Sequence, residues 1–312
     1  MHNNIRVAVL LPCFNEEAAI ESVVRDFRES LPDAEIFVFD NNSTDRTVEL
    51  ARNAGATVFL EKHQGKGYVV RRMFSDVDAD VYVLADGDGT YFAPASKLMV
   101  EKLLSDNLDM VVGVRKSKPQ DDTYRMGHHF GNRLFTKIVG FIFGNEFTDI
   151  LSGYRIMSRR FVKSFPSNTR GFEIETQLTI HALELTLPCE EYPTPYVSRV
   201  EGSESKLNTY RDGFRILFTI GVLFKETRPF LFFGLMAVMS ASLSFALGLP
   251  IIVEYIETGL VPRIPTAVLA SGVGVMSLIF IIAGITLDTV SRKHRELKRL
   301  FYNSLSSVRG KL

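Results

Sequence analysis

The sequence predicts an α/β domain, a parallel sheet covered by helices on both faces, followed by a hairpin of two membrane-spanning helices. Short β-branched runs alternate with helical stretches from Arg6 to Val114, and polar clusters stand directly after several of those runs. Two late segments, Phe230 to Val253 and Ile264 to Leu287, contain no charged residue. Alternating strands and helices form crossover units that build a parallel sheet buried on both faces.

The elements follow in order. Strands are expected at Val7–Leu11, Ile36–Phe39, Thr57–Leu60, Val81–Ala85 and Met110–Val114, with helices from about Glu17 to Ser30, Thr44 to Asn53, Lys66 to Asp76 and Pro94 to Ser105. The stretch from Tyr124 to Arg160 reads as helical in parts. From Leu207 to Phe224, Arg211 and Arg215 are interleaved with aromatic and aliphatic residues at near-helical spacing. That pattern suits an amphipathic helix lying on a membrane surface or a core helix of the domain.

Each uncharged segment spans roughly 36 Å as a helix at about 1.5 Å per residue, more than the roughly 30 Å hydrocarbon core of a bilayer. Two buried helices of a soluble core are the alternative. Only Glu254 to Arg263 separates the segments, so they form a tight hairpin whose long flanks share one side. Those flanks carry Arg211, Arg215, Lys225 and Arg228 before the hairpin and Arg292, Lys293, Arg295, Lys298 and Arg299 after it, which assigns them to the cytoplasm. The apolar run Val7 to Leu11 is too short for a secretory signal, and the large domain is expected in the cytosol. The expected organisation is a cytosolic domain over 1–206, a juxtamembrane helix over 207–228, two transmembrane helices over 229–288 and a basic cytosolic tail over 289–312. Self-association is expected through the membrane region. The 36 basic and 36 acidic residues give no global field, so nucleic acid is not an expected partner. Cys13 and Cys189, the only cysteines, form neither a disulfide framework nor a metal-binding spacing.

In an open parallel sheet, ligands bind at the carboxyl ends of the strands. Pro12-Cys13-Phe14-Asn15-Glu16 follows the first strand, Asp40-Asn41-Asn42-Ser43-Thr44-Asp45 the second and Asp86-Gly87-Asp88-Gly89 the fourth. Any one cluster reads as a helix cap or turn, with Asn15, Ser43 or Thr44 capping and Gly87 or Gly89 turning the chain. All three at one sheet edge favour a shared ligand. Asp86 and Asp88, one residue apart on extended backbone, point the same way and suit Mg²⁺ or Mn²⁺, with glycines admitting the oxygens of a diphosphate. An EF-hand is excluded, because its sixth and twelfth positions would be Tyr91 and Lys97 rather than glycine and glutamate. Lys66, between Gly65 and Gly67, reads equally as a diphosphate contact or as a solvated surface lysine.

With Asp149-Ile150-Leu151-Ser152-Gly153-Tyr154-Arg155, Glu175 and the basic segment from Arg199 to Lys206 added, the chain resembles the polyprenyl-phosphate glycosyltransferases, the dolichol-phosphate-mannose-synthase-like branch of glycosyltransferase family two. The resemblance covers nearly the whole length. It implies a GT-A (Rossmann-like) nucleotide-sugar domain that transfers a sugar from UDP or GDP to a membrane polyprenyl phosphate. Pro12, Asn15, Glu16 and Asp40 would surround the base and ribose, joined on the nucleotide by Lys66 and Asp86. Asp86 and Asp88 would hold the Mg²⁺ or Mn²⁺, and Arg115 and Arg125 would complete the catalytic set near the phosphates. Arg125, Arg199 and Lys206 would bind the acceptor phosphate. Asp149 and Glu175 would contact sugar hydroxyls or anchor arginines.

Two departures stand out. Many members read Asp-Ala-Asp-Leu-Gln where Gly89-Thr90-Tyr91 follows Asp88, so the resemblance supplies neither the third metal ligand nor the sugar. The later basic motif has one extra residue in Gly202-Ser203-Glu204-Ser205-Lys206. An acceptor phosphate is already anionic and needs no catalytic base, which implies direct inverting displacement at the anomeric carbon. A UDP-sugar is favoured over GDP-mannose because Asp40 with the neutral Asn41 and Asn42 suits the small uracil. The rivals are a processive polysaccharide synthase, whose Gln-x-x-Arg-Trp motif a chain without tryptophan lacks, and a non-catalytic membrane scaffold.

Overall fold

The computed structural model of the protein describes residues 5–116, 135–142, 144, 147–166, 171, 173–195, 197 and 209–306. The chain divides into two compact units, residues 1–219 with 298–312 and residues 220–297.

The first unit is built on one sheet: β1 (Val7–Cys13), β2 (Glu35–Asp40), β3 (Thr57–Leu60), β4 (Val81–Leu84), β5 (Met110–Lys116), β6 (Arg155–Ser158) and β7 (Cys189–Pro195), in the order β3-β2-β1-β4-β6-β5-β7. The register is parallel from β3 through β4, with Leu10 beside Phe37 of β2 and Leu84 of β4. β5 and β7 are also parallel to each other. The five strands read from the sequence are all present. The wholly parallel sheet is corrected at β6, which is antiparallel to both β4 and β5 and separates them. Its opening residue, Arg155, is completely buried. The guanidinium donates to the carbonyls of Ser152 and Ile150 and to Thr179 Oγ1, each at 2.9 Å. A buried arginine satisfied this way interrupts the apolar run by which a central strand is recognised.

Helices α1 (Ile20–Ser30), α2 (Thr47–Asn53), α3 (Lys66–Asp76) and α4 (Ala95–Ser105) alternate with the first five strands. After them come α5 (135–142), α6 (Arg159–Ser164) and α7 (Ile174–Leu185). α1 buries Ile20, Val23, Val24 and Phe27, a 3.6-residue stripe against Val9, Leu11 and Val38 of the sheet. α2 and α4 share the α1 side, whereas α3 packs with α6 and α7. Central β4 is therefore covered on both faces and offers no alternation to read: Val81, Tyr82, Val83 and Leu84 are all buried.

α8 (Thr209–Thr227) buries Ile216 and Ile220 and exposes Phe214, Leu217 and Phe218. In the second unit, α9 (Pro229–Thr258) begins on proline and closes on Gly259, whose φ of 67° is the left-handed conformation that glycine adopts without strain. α10 (Ile264–Ser304) faces it through small residues: Ser244 Oγ donates to Ala270 O at 2.7 Å and Ser277 Oγ to Ala237 O at 2.9 Å. Both helices are long and apolar enough to cross a membrane, with window mean hydropathies of 2.1 and 2.4. Only 6% and 17% of those windows is buried, which is unlike helices of a soluble core.

The end of α10 belongs to the first unit. There Lys298 pairs with Glu184 at 2.8 Å, Arg299 donates to Leu185 O at 2.8 Å, and Tyr302 Oη donates to Asp109 Oδ2 at 2.5 Å. Asp109 is fully buried and also accepts from Ser158 Oγ and Arg160.

Candidate functional site

β1, β2 and β4 end side by side, so their polar loops meet at one edge of the sheet. The first two loops are laced together rather than spent on helix caps. Asn15 N–H donates to Ser43 Oγ at 2.9 Å, Asn15 Oδ1 accepts from Thr44 N–H at 2.8 Å, and Glu16 N–H donates to Thr47 Oγ1 at 2.8 Å. Neither α1 nor α2 has a side-chain bond at its N-cap. Asn15 adopts φ 52°, a left-handed conformation that its short polar side chain tolerates.

Asp40 lies at the end of β2 and is 2% exposed. Its Oδ2 accepts from Ser43 N–H at 3.0 Å, but its Oδ1 is buried with no hydrogen-bond partner among the described residues. Burying an unsatisfied carboxylate oxygen is costly, and a ligand donor at this position would relieve the cost. Neighbouring Asn41 donates to Glu61 O and His63 O and accepts from Gly65 N–H, tying down the loop that leads into α3. Gly65, at φ 137°, turns the chain so that Lys66 opens the helix. Pro12 pairs with Phe39 across β1 and β2.

The Asp86 tetrad does not continue the strand, contrary to the extended backbone expected from the sequence. Gly87 and Asp88 form a turn, and Gly89 has φ 74°. The turn lies so close to β1 that a Cβ on Gly87 would come within 2.4 Å of Cys13 Sγ. Asp88 is buried, and its Oδ1 accepts from Thr90 N–H at 3.1 Å and from Thr90 Oγ1 at 2.7 Å. Burial pushes the Cys13 thiol well above its usual range, and Glu16, Asp40, Asp86 and Asp88 raise it further. Four carboxylates thus converge around β1 and give the edge a negative field.

Lys66 is the cation set against them. Its side chain is 10% exposed, not solvated, and Nζ lies 2.5 Å from Asp86 Oδ1 and 2.6 Å from Glu175 Oε1. Burial alone would lower its pKa, but Asp86 and then Glu175 outweigh that effect, and the ammonium is held well above its ordinary value. The antiparallel entry of β6 completes the site. Because Leu84 pairs with Arg155, the loop before β6 arrives beside the tetrad. A Cβ on Gly153 would lie 3.1 Å from Asp86 Oδ2 and 3.2 Å from both Lys66 Nζ and Tyr91 Oη. Gly153 N–H donates to Tyr91 Oη at 2.9 Å, and the Tyr91 and Tyr154 rings pack at 5.1 Å.

Asp149, 4% exposed, grips Arg115 in a two-point contact at 2.8 and 2.9 Å. In the structure Asp149 anchors an arginine and Glu175 anchors a lysine. Tyr91 and Gly153, absent from the residues expected at the site, stand at its centre. The only signal for Tyr91 was its place next to the tetrad. Arg125, Arg199 and Lys206 lie outside the described residues.

No group of three or more His, Cys, Asp or Glu side chains poised to hold a metal occurs among the described residues. A magnesium-like ion commonly takes one or two protein carboxylates and fills its other positions with water and substrate phosphate, so two carboxylates such as Asp86 and Asp88 are a sufficient protein donor set.

The profile of Glycosyl transferase family 2 matches residues 8–165. Glycosyltransferase AglJ of Haloferax volcanii is 32% identical over 298 residues, covering 94% of this chain and 97% of its own length. The dolichyl-phosphate hexose transferase of the same organism is 30% identical over 66% of this chain and 89% of its own. Among solved structures, glucosyl-3-phosphoglycerate synthase from Mycobacterium tuberculosis, in complex with Mn²⁺, uridine diphosphate and glucosyl-3-phosphoglycerate, superposes with a TM-score of 0.56 at 21% identity, covering 70% of this chain and 80% of that one. That likeness is one of fold, the GT-A arrangement. The chain belongs to glycosyl transferase family 2 and is a glycosyltransferase.

Proposed function

We propose that the protein transfers a sugar, with inversion, from a nucleotide sugar to a membrane polyprenyl phosphate. The observation that carries this reading is the pairing, in one chain, of a carboxylate-rich site at the sheet edge with two exposed apolar helices. The name of the dolichyl-phosphate hexose transferase relative supports the acceptor class. The neighbour complexed with Mn²⁺ and uridine diphosphate supports a UDP-sugar and a divalent metal.

Asp40 Oδ1 accepts a base N–H, with Pro12, Asn15 and Glu16 bordering the nucleoside. Asp86 and Asp88 hold the metal, which when bound stabilises the negative charge of the departing diphosphate. Arg115, fixed by Asp149, presents positive charge with one face already satisfied. Arg125, Arg199 and Lys206 serve the acceptor phosphate, whose own charge makes it a nucleophile without proton removal. The residues before Arg228 and after Leu287 lie on the cytoplasmic side, and the spans self-associate.

Purified full-length protein, incubated with a panel of nucleotide sugars and a short polyprenyl phosphate, should form polyprenyl-phosphate-sugar from a UDP-sugar. Asp88→Asn should abolish turnover while leaving the circular dichroism spectrum unchanged, since it removes one charge without changing side-chain size. Near-normal transfer by that variant, or by EDTA-treated protein, would show the metal assignment to be wrong.

A further inference from the structure

Lys66 occupies a place the proposed reaction does not account for. Its ammonium touches two carboxylates at once, Asp86 at 2.5 Å and Glu175 at 2.6 Å, where the side chains are 10%, 28% and 5% exposed respectively. Asp86 is a proposed metal ligand, so one of its oxygens is already engaged by a cation of the protein's own. Lys66, Asp86, Asp88 and Glu175 together carry one positive and three negative charges. Gly153 packs directly against this cluster, since a Cβ there would meet Asp86 Oδ2 at 3.1 Å and Lys66 Nζ at 3.2 Å. A four-carbon stem lets an ammonium shift between neighbouring carboxylates without backbone movement.

We propose that Lys66 is an exchangeable internal counter-ion of Asp86, and that Glu175 is the positioning residue that receives it when a divalent cation takes over Asp86. The proposal rests on the metal reading given above. It casts Glu175 as a tether for Lys66 and not as a base or a sugar contact. Lys66 and the metal then compete for Asp86, and Glu175 favours the metal by drawing Lys66 away. The two substitutions therefore act in opposite directions, and because replacing both leaves the local net charge unchanged, tighter binding by the double variant distinguishes exchange from a simple field effect.

The test is Mn²⁺ binding to the full-length chain in detergent, followed by electron paramagnetic resonance of free Mn²⁺, with and without uridine diphosphate. Lys66→Met should bind Mn²⁺ roughly tenfold more tightly than the wild type, and Glu175→Gln roughly tenfold more weakly, about the effect of one charge-assisted contact. The double variant Lys66→Met/Glu175→Gln leaves no unpaired buried charge at this pair and should also bind more tightly than the wild type, which keeps the test decisive if Lys66→Met alone fails to fold. Shifts in the same direction, no shift, or a double variant no tighter than the wild type would overturn the proposal. If Asp88→Asn abolishes binding while these variants leave it unchanged, the metal site stands and the exchange falls. If the wild-type protein binds no Mn²⁺, both fall.

Discussion

At the scale of single residues, the site is governed by close approach. Gly87 is required less for its torsions than for the absence of a side chain, because Cys13 Sγ fills the space a Cβ would need, at 2.4 Å. Gly87→Ala should destabilise the domain by about 1–3 kcal/mol, the usual cost of overpacking. Adding Cys13→Ala, which removes the sulfur, should recover most of the loss. Urea unfolding of the single and double variants measures this coupling, and strict additivity would mean the contact does not matter. The same closeness explains why Lys66 could not be placed from sequence. A lysine between glycines looks like a solvated turn residue until two carboxylates distant in the chain are brought within 2.6 Å of it.

At the scale of elements, α7 and the end of α10 carry two separable effects. His181 on α7 is 3% exposed and packs edge-on against Phe161 and Phe165 at 5.3 and 5.4 Å. Burial, with a smaller contribution from Lys298, lowers its pKa from 6.5 to about 3. The unfolded chain therefore takes up a proton near pH 6.5 that the folded chain refuses. The stability this neutral imidazole confers is complete above pH 6.5 and is lost as pH falls toward 3, at up to about 1.4 kcal/mol per pH unit. His181→Gln should flatten the dependence between pH 6.5 and 5, where few carboxylates titrate, as read by urea unfolding across that range. Tyr302 on α10 gives Asp109, itself fully buried, one of its donors at 2.5 Å. Tyr302→Phe leaves that carboxylate short of a partner and should cost about 1–3 kcal/mol. A thermal midpoint equal to that of the wild type would show that Ser158 and Arg160 suffice. The strands missed in the sequence, β6 and β7, belong to this scale too, and β6 shows why. Four residues opening on a buried arginine look like loop, and only their insertion between β4 and β5 makes them a strand.

At the scale of the whole molecule, the charge pattern makes a claim about sidedness that can be measured. A cysteine replacing Ser304 should resist an impermeant thiol reagent in intact cells and react after permeabilisation, whereas one replacing Thr258, at the loop end of α9, should react without it. The reverse pattern would invert the proposed topology. Five strands, four of the helices and both long apolar helices were legible because each rests on local evidence: β-branched runs, helical spacing, and length without charge. The polar clusters were legible as a site because strand direction places successive loops at one edge. Tertiary structure alone decided that one Asp40 oxygen has no partner among the described residues, that Asp149 grips Arg115, and that Gly153 meets Asp86, Lys66 and Tyr91. Strand order brings these residues together across 34 to 109 positions of chain, as in Arg115–Asp149 and Lys66–Glu175. Periodicity within a segment carries no information about which distant segment will lie beside it, and charge pairing is settled only once the sheet has set those neighbours.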